Sequence, residues 1–218
     1  MIDFVDEIDV WLEPVLSTLG KVSYYDVNLY PSNDKDLISL IKGIEVKDDY
    51  TFIKAYKSQM DYINSTNDFS VEGELTALIS MPIYTLNLFY KITKLYPKSK
   101  LAVKVDLMGE SSILPASKYK LKSLVKSGVE VWLSEFDLKN TPLSILSQVE
   151  WTGVIVKRES MLTLSEEQSF YSLVDEFENR KLKVMCDGVE SWFLFDLCKR
   201  AGVNFVKGSC STKIGCYC

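Results

Sequence analysis

The chain has 218 residues, 47% of them hydrophobic and 25% charged, and carries a formal net charge of −5. That length and balance suit a globular core, while the acidic surplus excludes a protein that holds nucleic acid or anionic lipid by bulk charge. Histidine is absent, which removes imidazole acid–base chemistry, histidine-containing triads and histidine zinc sites.

Phe4, Val5, Ile8, Trp11, Leu12, Val15, Leu16 and Leu19 recur at helical spacing ahead of Gly20. Residues 1–20 are therefore predicted as an N-terminal helical segment, kinked at Pro14. The aromatic and β-branched run "KVSYYDVNLY" reads as a strand ending at Pro31, "PSNDKD" as a turn, and "LISLIKGIEV" as a second strand beside the first. An alternation follows. Residues 52–64 form a helix, "LTALIS" a strand, and "PIYTLNLFYKITKLY" a helix with Pro82 near its start. "LAVKVDL" is a strand, residues 118–126 a helix closed by Gly128, and "VEVWLSEF" a strand. A short helix near Pro142 leads to the strand "GVIVKR", and residues 164–179 form a helix capped by Ser165 with Gln168 three positions on. The strand "LKVMC", the helix "SWFLFDLCKRAG" and the strand "NFVKG" complete the pattern.

About eight strands in alternation with helices favour a sheet buried on both faces, closed into a β/α barrel as one domain over residues 1–218, with the barrel over 21–218. No glycine-rich loop follows the first strand, so a dinucleotide-binding fold of that type has no support. Cys186, Cys198, Cys210, Cys216 and Cys218 crowd the C-terminal end. The opening lacks a basic, apolar leader, so the cysteines are expected as reduced thiols in a cytoplasmic protein. "CSTKIGCYC" has too few and too irregular thiols for a metal site. The densest apolar stretch, 75–96, is broken by Asn, Lys and Pro, so no membrane span is expected.

"LKVMCDGVES", "AGVNFVKGSCS" and "VEVWLSEFDLKNTPLSILSQVEWTGVIVKRESM" together resemble the second half of an EAL domain, the bacterial cyclic-di-GMP phosphodiesterase module. The likeness covers residues 129–212 and is compatible, though weaker, from 24 to 106. It implies a modified TIM-type (β/α)8 barrel with one antiparallel strand, and phosphodiester hydrolysis by two divalent metals held on carboxylates. Carried over by position, the family's paired aspartates fall on Ser134 and Glu135, and the lysine and aspartate of its next strand on Ile155 and Lys157. Two glutamates fall on Lys104 and Leu107, with Asp106 between them, and the acids after the seventh strand survive as Asp187 and Glu190. The signature glutamate is matched to Glu45.

Lysines at Lys104 and Lys157 are expected to repel dications and to pair with the remaining acids. What the resemblance then implies is a protein that is not an enzyme: a degenerate phosphodiesterase without metal or other cofactor, regulating by contact with a protein such as a transcription factor or signalling protein. The alternative is a cyclic-di-GMP effector that binds without hydrolysis through Lys157, Lys104 and the strand-end acids, and an active phosphodiesterase ranks third. Trp192, Phe193, Leu194 and Phe195 cover more than one helix face, which raises self-association into a homodimer as a secondary expectation.

Overall fold

In the computed structural model the described residues are 8–31, 76–83, 86, 101–107, 109–137, 140–163 and 167–210. Eight strands close a barrel in chain order: β1 (Ile8–Ser17), β2 (Val22–Pro31), β3 (Thr76–Pro82), β4 (Leu101–Asp106), β5 (Glu130–Phe136), β6 (Gly153–Val156), β7 (Lys183–Cys186) and β8 (Phe205–Val206). β1 runs antiparallel to both its neighbours, and every other pair is parallel. The described helices are α1 (Pro115–Lys126), α2 (Arg158–Thr163), α3 (Glu167–Asn179) and α4 (Trp192–Arg200), with a 3-10 turn at Leu143–Ser147.

The N-terminal helical segment expected over residues 1–20 is corrected: Ile8–Ser17 is a strand, joined to β2 by a tight turn in which Gly20 adopts φ 85°. Both faces of this strand carry apolar groups. Val15 faces the barrel interior, while Leu12 and Leu16 pack on the outer cluster. That double burial removes the polar–apolar alternation by which a strand is told from a helix. Pro14 is tolerated because β1 pairs with β8 only at Leu16 and Ser17, leaving most of its length with β2 alone. The strand expected at 37–46, the helix at 52–64 and the cap at Ser165 lie outside the described residues.

Local chemistry explains the later elements. β6, "GVIV", is buried along its whole length, as a central parallel strand requires. Pro115 opens α1, where its missing N–H is no loss, and α1 ends before Gly128 at φ 85°. Ser191 caps α4 by accepting from the Leu194 N–H at 3.2 Å, and Lys199 and Arg200 sit in the last turn, where the helix dipole favours cations. Between strands and helices lies an outer core in which Val131, Leu133, Val154 and Val184 meet Leu124, Phe170, Phe177 and Leu197.

Inside the barrel a second cluster takes one residue from each strand: Val15, Tyr24, Leu78, Ala102, Trp132, Ile155 and Met185, with Phe205 packed against them. Trp132 is its centre, edge-on to Tyr24 and Phe205 at centroid distances of 5.7 and 5.9 Å. Its size is accommodated by Gly153 on the neighbouring strand. A β-carbon built there would lie 2.5 Å from a Trp132 ring carbon and collide with the Lys183 carbonyl. Gly153→Ala is therefore expected to destabilise the fold by about 1–3 kcal/mol through overpacking. Urea denaturation would measure this, and an unchanged midpoint would show that the plug has room to shift.

Candidate functional site

Strand alternation places a second layer directly above the apolar plug. Two residues from each plug residue toward the open end of the barrel stand Glu13 on β1, Asp26 on β2, Ser80 on β3, Lys104 on β4 and Ser134 on β5. The same step gives Lys157, Asp187 and Lys207, each just past the last residue of β6, β7 and β8. The ladder continues through these three residues: Lys157 N–H donates to Phe136 O, Asp187 N–H to Val156 O and Lys207 N–H to Cys186 O. Among the charged members are three carboxylates and three ammonium groups, so the layer is formally neutral.

Lys207 joins strands that are far apart in sequence. Its Nζ lies 2.7 Å from Asp26 Oδ2, 2.8 Å from Asp187 Oδ2 and 3.7 Å from Glu13 Oε2. Lys104 Nζ donates to the same Asp26 Oδ2 at 2.7 Å. Asp26 Oδ1 accepts no directed hydrogen bond but lies 2.6 Å from the Lys104 ammonium, so its charge is met there too. The Asp26 side chain is 0% exposed. Burial alone would push its carboxyl up, but the attraction of Lys104 and Lys207 outweighs burial and holds it below the ordinary value. For Lys207 burial favours the neutral amine, and Asp26 and Asp187 reverse that, so its pKa is raised. Glu13 is raised by burial, against the pull of Lys207.

The far side of the layer is looser. Lys157 Nζ lies 3.4 Å from Asp137 Oδ2, and its side chain is 29% exposed. Glu135 lies within a break in register between Leu133 and Phe136 and takes φ 55°, a left-handed conformation that a glutamate adopts only under constraint. Crowding of its carboxyl by protein, then the charges of Asp106 and Asp187, raises its pKa.

Of the residues the sequence singles out, Lys104, Ser134, Lys157 and Asp187 belong to one layer, with Asp106 and Glu135 beside it. Lys104 and Lys157 do pair with acids, Asp26 and Asp137. Glu190 is turned away from the lysines of the layer and pairs with Arg158 at 2.7 Å, both side chains about half exposed. Glu45 lies outside the described residues. Sequence reasoning missed Glu13, Asp26 and Lys207. The signal for Asp26 was a lone acid inside the aromatic run "YYDV", and for Lys207 its place directly after the last strand.

The divalent metals implied by the resemblance can be tested against this donor set. Asp26 is already held between two ammonium groups and Asp187 is held by one. Among the described residues no group of three or more Asp, Glu or Cys is gathered closely enough to hold a metal ion. As arranged, these side chains do not fit a dication.

No family model matches the chain, and no curated protein matches it. Solved structures do. The chain is similar to an EAL enzyme, Bd1971, in its cGMP-bound form, with a TM-score of 0.73, 12% identity, and coverage of 94% of this chain and 61% of that one. It is similar to BlrP1 of Klebsiella pneumoniae in a complex with calcium and cyclic-di-GMP, with a TM-score of 0.76, 14% identity, and coverage of 93% and 54%. A third likeness is to the PaMucR phosphodiesterase in its cyclic-di-GMP complex, with a TM-score of 0.71, 14% identity, and coverage of 93% and 90%. The fold of this chain is that of the EAL domain, a closed barrel whose first strand runs against the rest. It spans only about half to three-fifths of Bd1971 and BlrP1.

These likenesses correct the expectation that the chain is not an enzyme. Structures of the same fold include an EAL enzyme and a phosphodiesterase, and loss of activity does not follow from the residues at Lys104, Ser134 and Lys157.

Removing one partner from the buried ion cluster leaves uncompensated charge. Asp26→Asn is expected to destabilise the protein at neutral pH by about 3–5 kcal/mol. The sign with pH follows from the lowered carboxyl. The contribution of Asp26 is complete above the ordinary value of 3.8 and is lost as pH falls through the still lower folded value. The gap between native protein and variant in urea denaturation therefore narrows below that pH. A gap that stayed constant down to strong acid would contradict an ionised Asp26.

Proposed function

We propose that the chain acts in cyclic-di-GMP signalling in the bacterial cytoplasm and binds the dinucleotide at the open end of its barrel. The observation that carries this reading is Lys157. It is the most open ammonium of a layer built on all eight strands, and its ion pair with Asp137, at 3.4 Å, is longer than those of Lys104 and Lys207 with Asp26. A phosphodiester arriving at the mouth can replace Asp137 at Lys157 without disturbing the buried cluster. Charge-assisted hydrogen bonds to phosphate are among the stronger polar contacts. Support also comes from the fold, which BlrP1 and PaMucR share in their cyclic-di-GMP complexes.

A second reading has its own observation. Trp192 and Phe193 are 59% and 64% exposed at the start of α4. Water-facing aromatics beside one another suit a protein contact, either with a transcriptional or signalling regulator or with a second copy of this chain. Regulation through such a contact is compatible with dinucleotide binding at the barrel mouth.

Calorimetric titration with cyclic-di-GMP, with and without Mg²⁺ or Mn²⁺, followed by chromatography for the linear product, tests the first reading. Binding is expected, weakened roughly 10- to 100-fold in Lys157→Ala and weakened further by added salt. Absence of binding under every condition would sink it. Product formation would identify the bound dinucleotide as substrate.

A further inference from the structure

The β1–β2 hairpin carries one more barrel-facing rung above the charged layer. Three rungs follow in unbroken register: Val15 with Tyr24, Glu13 with Asp26, and Trp11 with Asn28. The first belongs to the apolar plug and the second to the ion cluster. Alternation along a strand then turns Trp11 toward the same side as Glu13, about 7 Å further out. The pairing of β2 with β3 runs from Tyr24 to Val27 and that of β1 with β8 covers Leu16 and Ser17, so the Trp11–Asn28 rung stands beyond both.

Trp11 is 64% exposed and Trp192, on α4, is 59% exposed, whereas Trp132 and Trp151 are buried. A tryptophan left in water one rung above a charged layer forgoes a large burial gain. It is also a flat, rigid surface of the kind on which bases stack, and stacking tolerates any base because each has a π-face. The charged layer beneath supplies ammonium groups for a phosphodiester but no flat ring for the face of a base. Trp11 supplies the complement one strand repeat above Glu13 on β1, across the barrel mouth from Lys157 at the end of β6.

We propose that Trp11 is the stacking platform for a nucleobase of the ligand held at the barrel mouth, with its phosphodiester on the lysine side of the layer. This inference rests on the cyclic-di-GMP reading above. It assigns Trp11 to base binding and to no other step.

The test compares the full-length wild-type chain with Trp11→Phe and Trp11→Ala by calorimetric titration with cyclic-di-GMP. Tryptophan fluorescence is recorded in parallel. The alanine variant is expected to bind about 10- to 100-fold more weakly, the phenylalanine variant to retain most of the affinity, and all three to share one thermal midpoint. Ligand is expected to quench the fluorescence of the wild type more than that of Trp11→Phe, a signature that a purely structural residue would not give. Equal affinity of wild type and Trp11→Ala would overturn the stacking role while leaving the cyclic-di-GMP reading intact. Equal loss in both variants with a lowered midpoint would overturn it as well, by making Trp11 a structural residue. A wild type that does not bind at all would end both, and the wild-type titration alone separates that failure from the others.

Discussion

The buried carboxylate of Asp26, held between the ammonium groups of Lys104 and Lys207, is the interaction on which the rest of the barrel depends. Three ionised groups withdrawn from water each carry a desolvation cost of several kcal/mol, and only mutual pairing at close range offsets it. The pairing spans the chain: 181 positions separate Lys207 from Asp26. It also spans one of the two shortest seams. β8 is two residues long and meets β1 through two residue pairs, as few as β7 with β8 and fewer than any other neighbours in the barrel. Lys207, just past β8, reaches across this seam to Glu13 on β1 and Asp26 on β2. The ion cluster thus does at the seam what a longer hydrogen-bonded ladder does elsewhere.

That cluster needs a floor, and the apolar plug provides it. Tyr24 and Trp132 fill the interior with their rings and send their polar tips to the opposite end, where Glu130 accepts from Tyr24 Oη at 2.8 Å and from Trp132 Nε1 at 3.3 Å. The same strand step that carries Tyr24 to Asp26 and Phe205 to Lys207 carries the barrel from hydrocarbon to charge in one repeat. Water is kept from beneath the ions, which strengthens their attraction for one another. Packing of the plug and neutrality of the layer are thus one constraint seen from its two sides.

How much of this was legible in the sequence follows from where each residue's partners lie. Strands β3 to β8 were readable because each is short, apolar on both faces and bounded by helical pattern or turn residues. β1 was not readable, because Leu12 and Leu16 on one face and Val15 on the other mimic a helical stripe when written in line. With β1 taken as helix, the hairpin was invisible, and with it the pairing of Glu13 beside Asp26. Asp26 then passed as part of an aromatic strand. Lys104 and Lys157 were legible as cations in a layer of acids because their strands were placed correctly. Lys207 stood within a recognised frame, but its role depends on three carboxylates from three other strands, and no local pattern contains those.

The layer divides into a half that holds the barrel and a half free to exchange partners. Asp26, Lys104 and Lys207 are nearly sealed from solvent, so a ligand displacing any of them would have to repay the full burial of the ion left behind. Lys157 and Asp137 are part-exposed and linked at 3.4 Å, so exchanging one anion for another there changes little else. Glu135 sharpens this asymmetry. Its left-handed backbone stores strain of about 1–2 kcal/mol, and its carboxyl is held beside Asp106 and Asp187, which oppose its ionisation. A folded chain keeps such a residue only where the surroundings over-determine it. Here they do: the register break after Leu133 turns Glu135 out of line while Phe136, buried on the outer face, anchors the strand end. The strain therefore falls on the open side of the layer, near Lys157, the most exposed of its three ammonium groups.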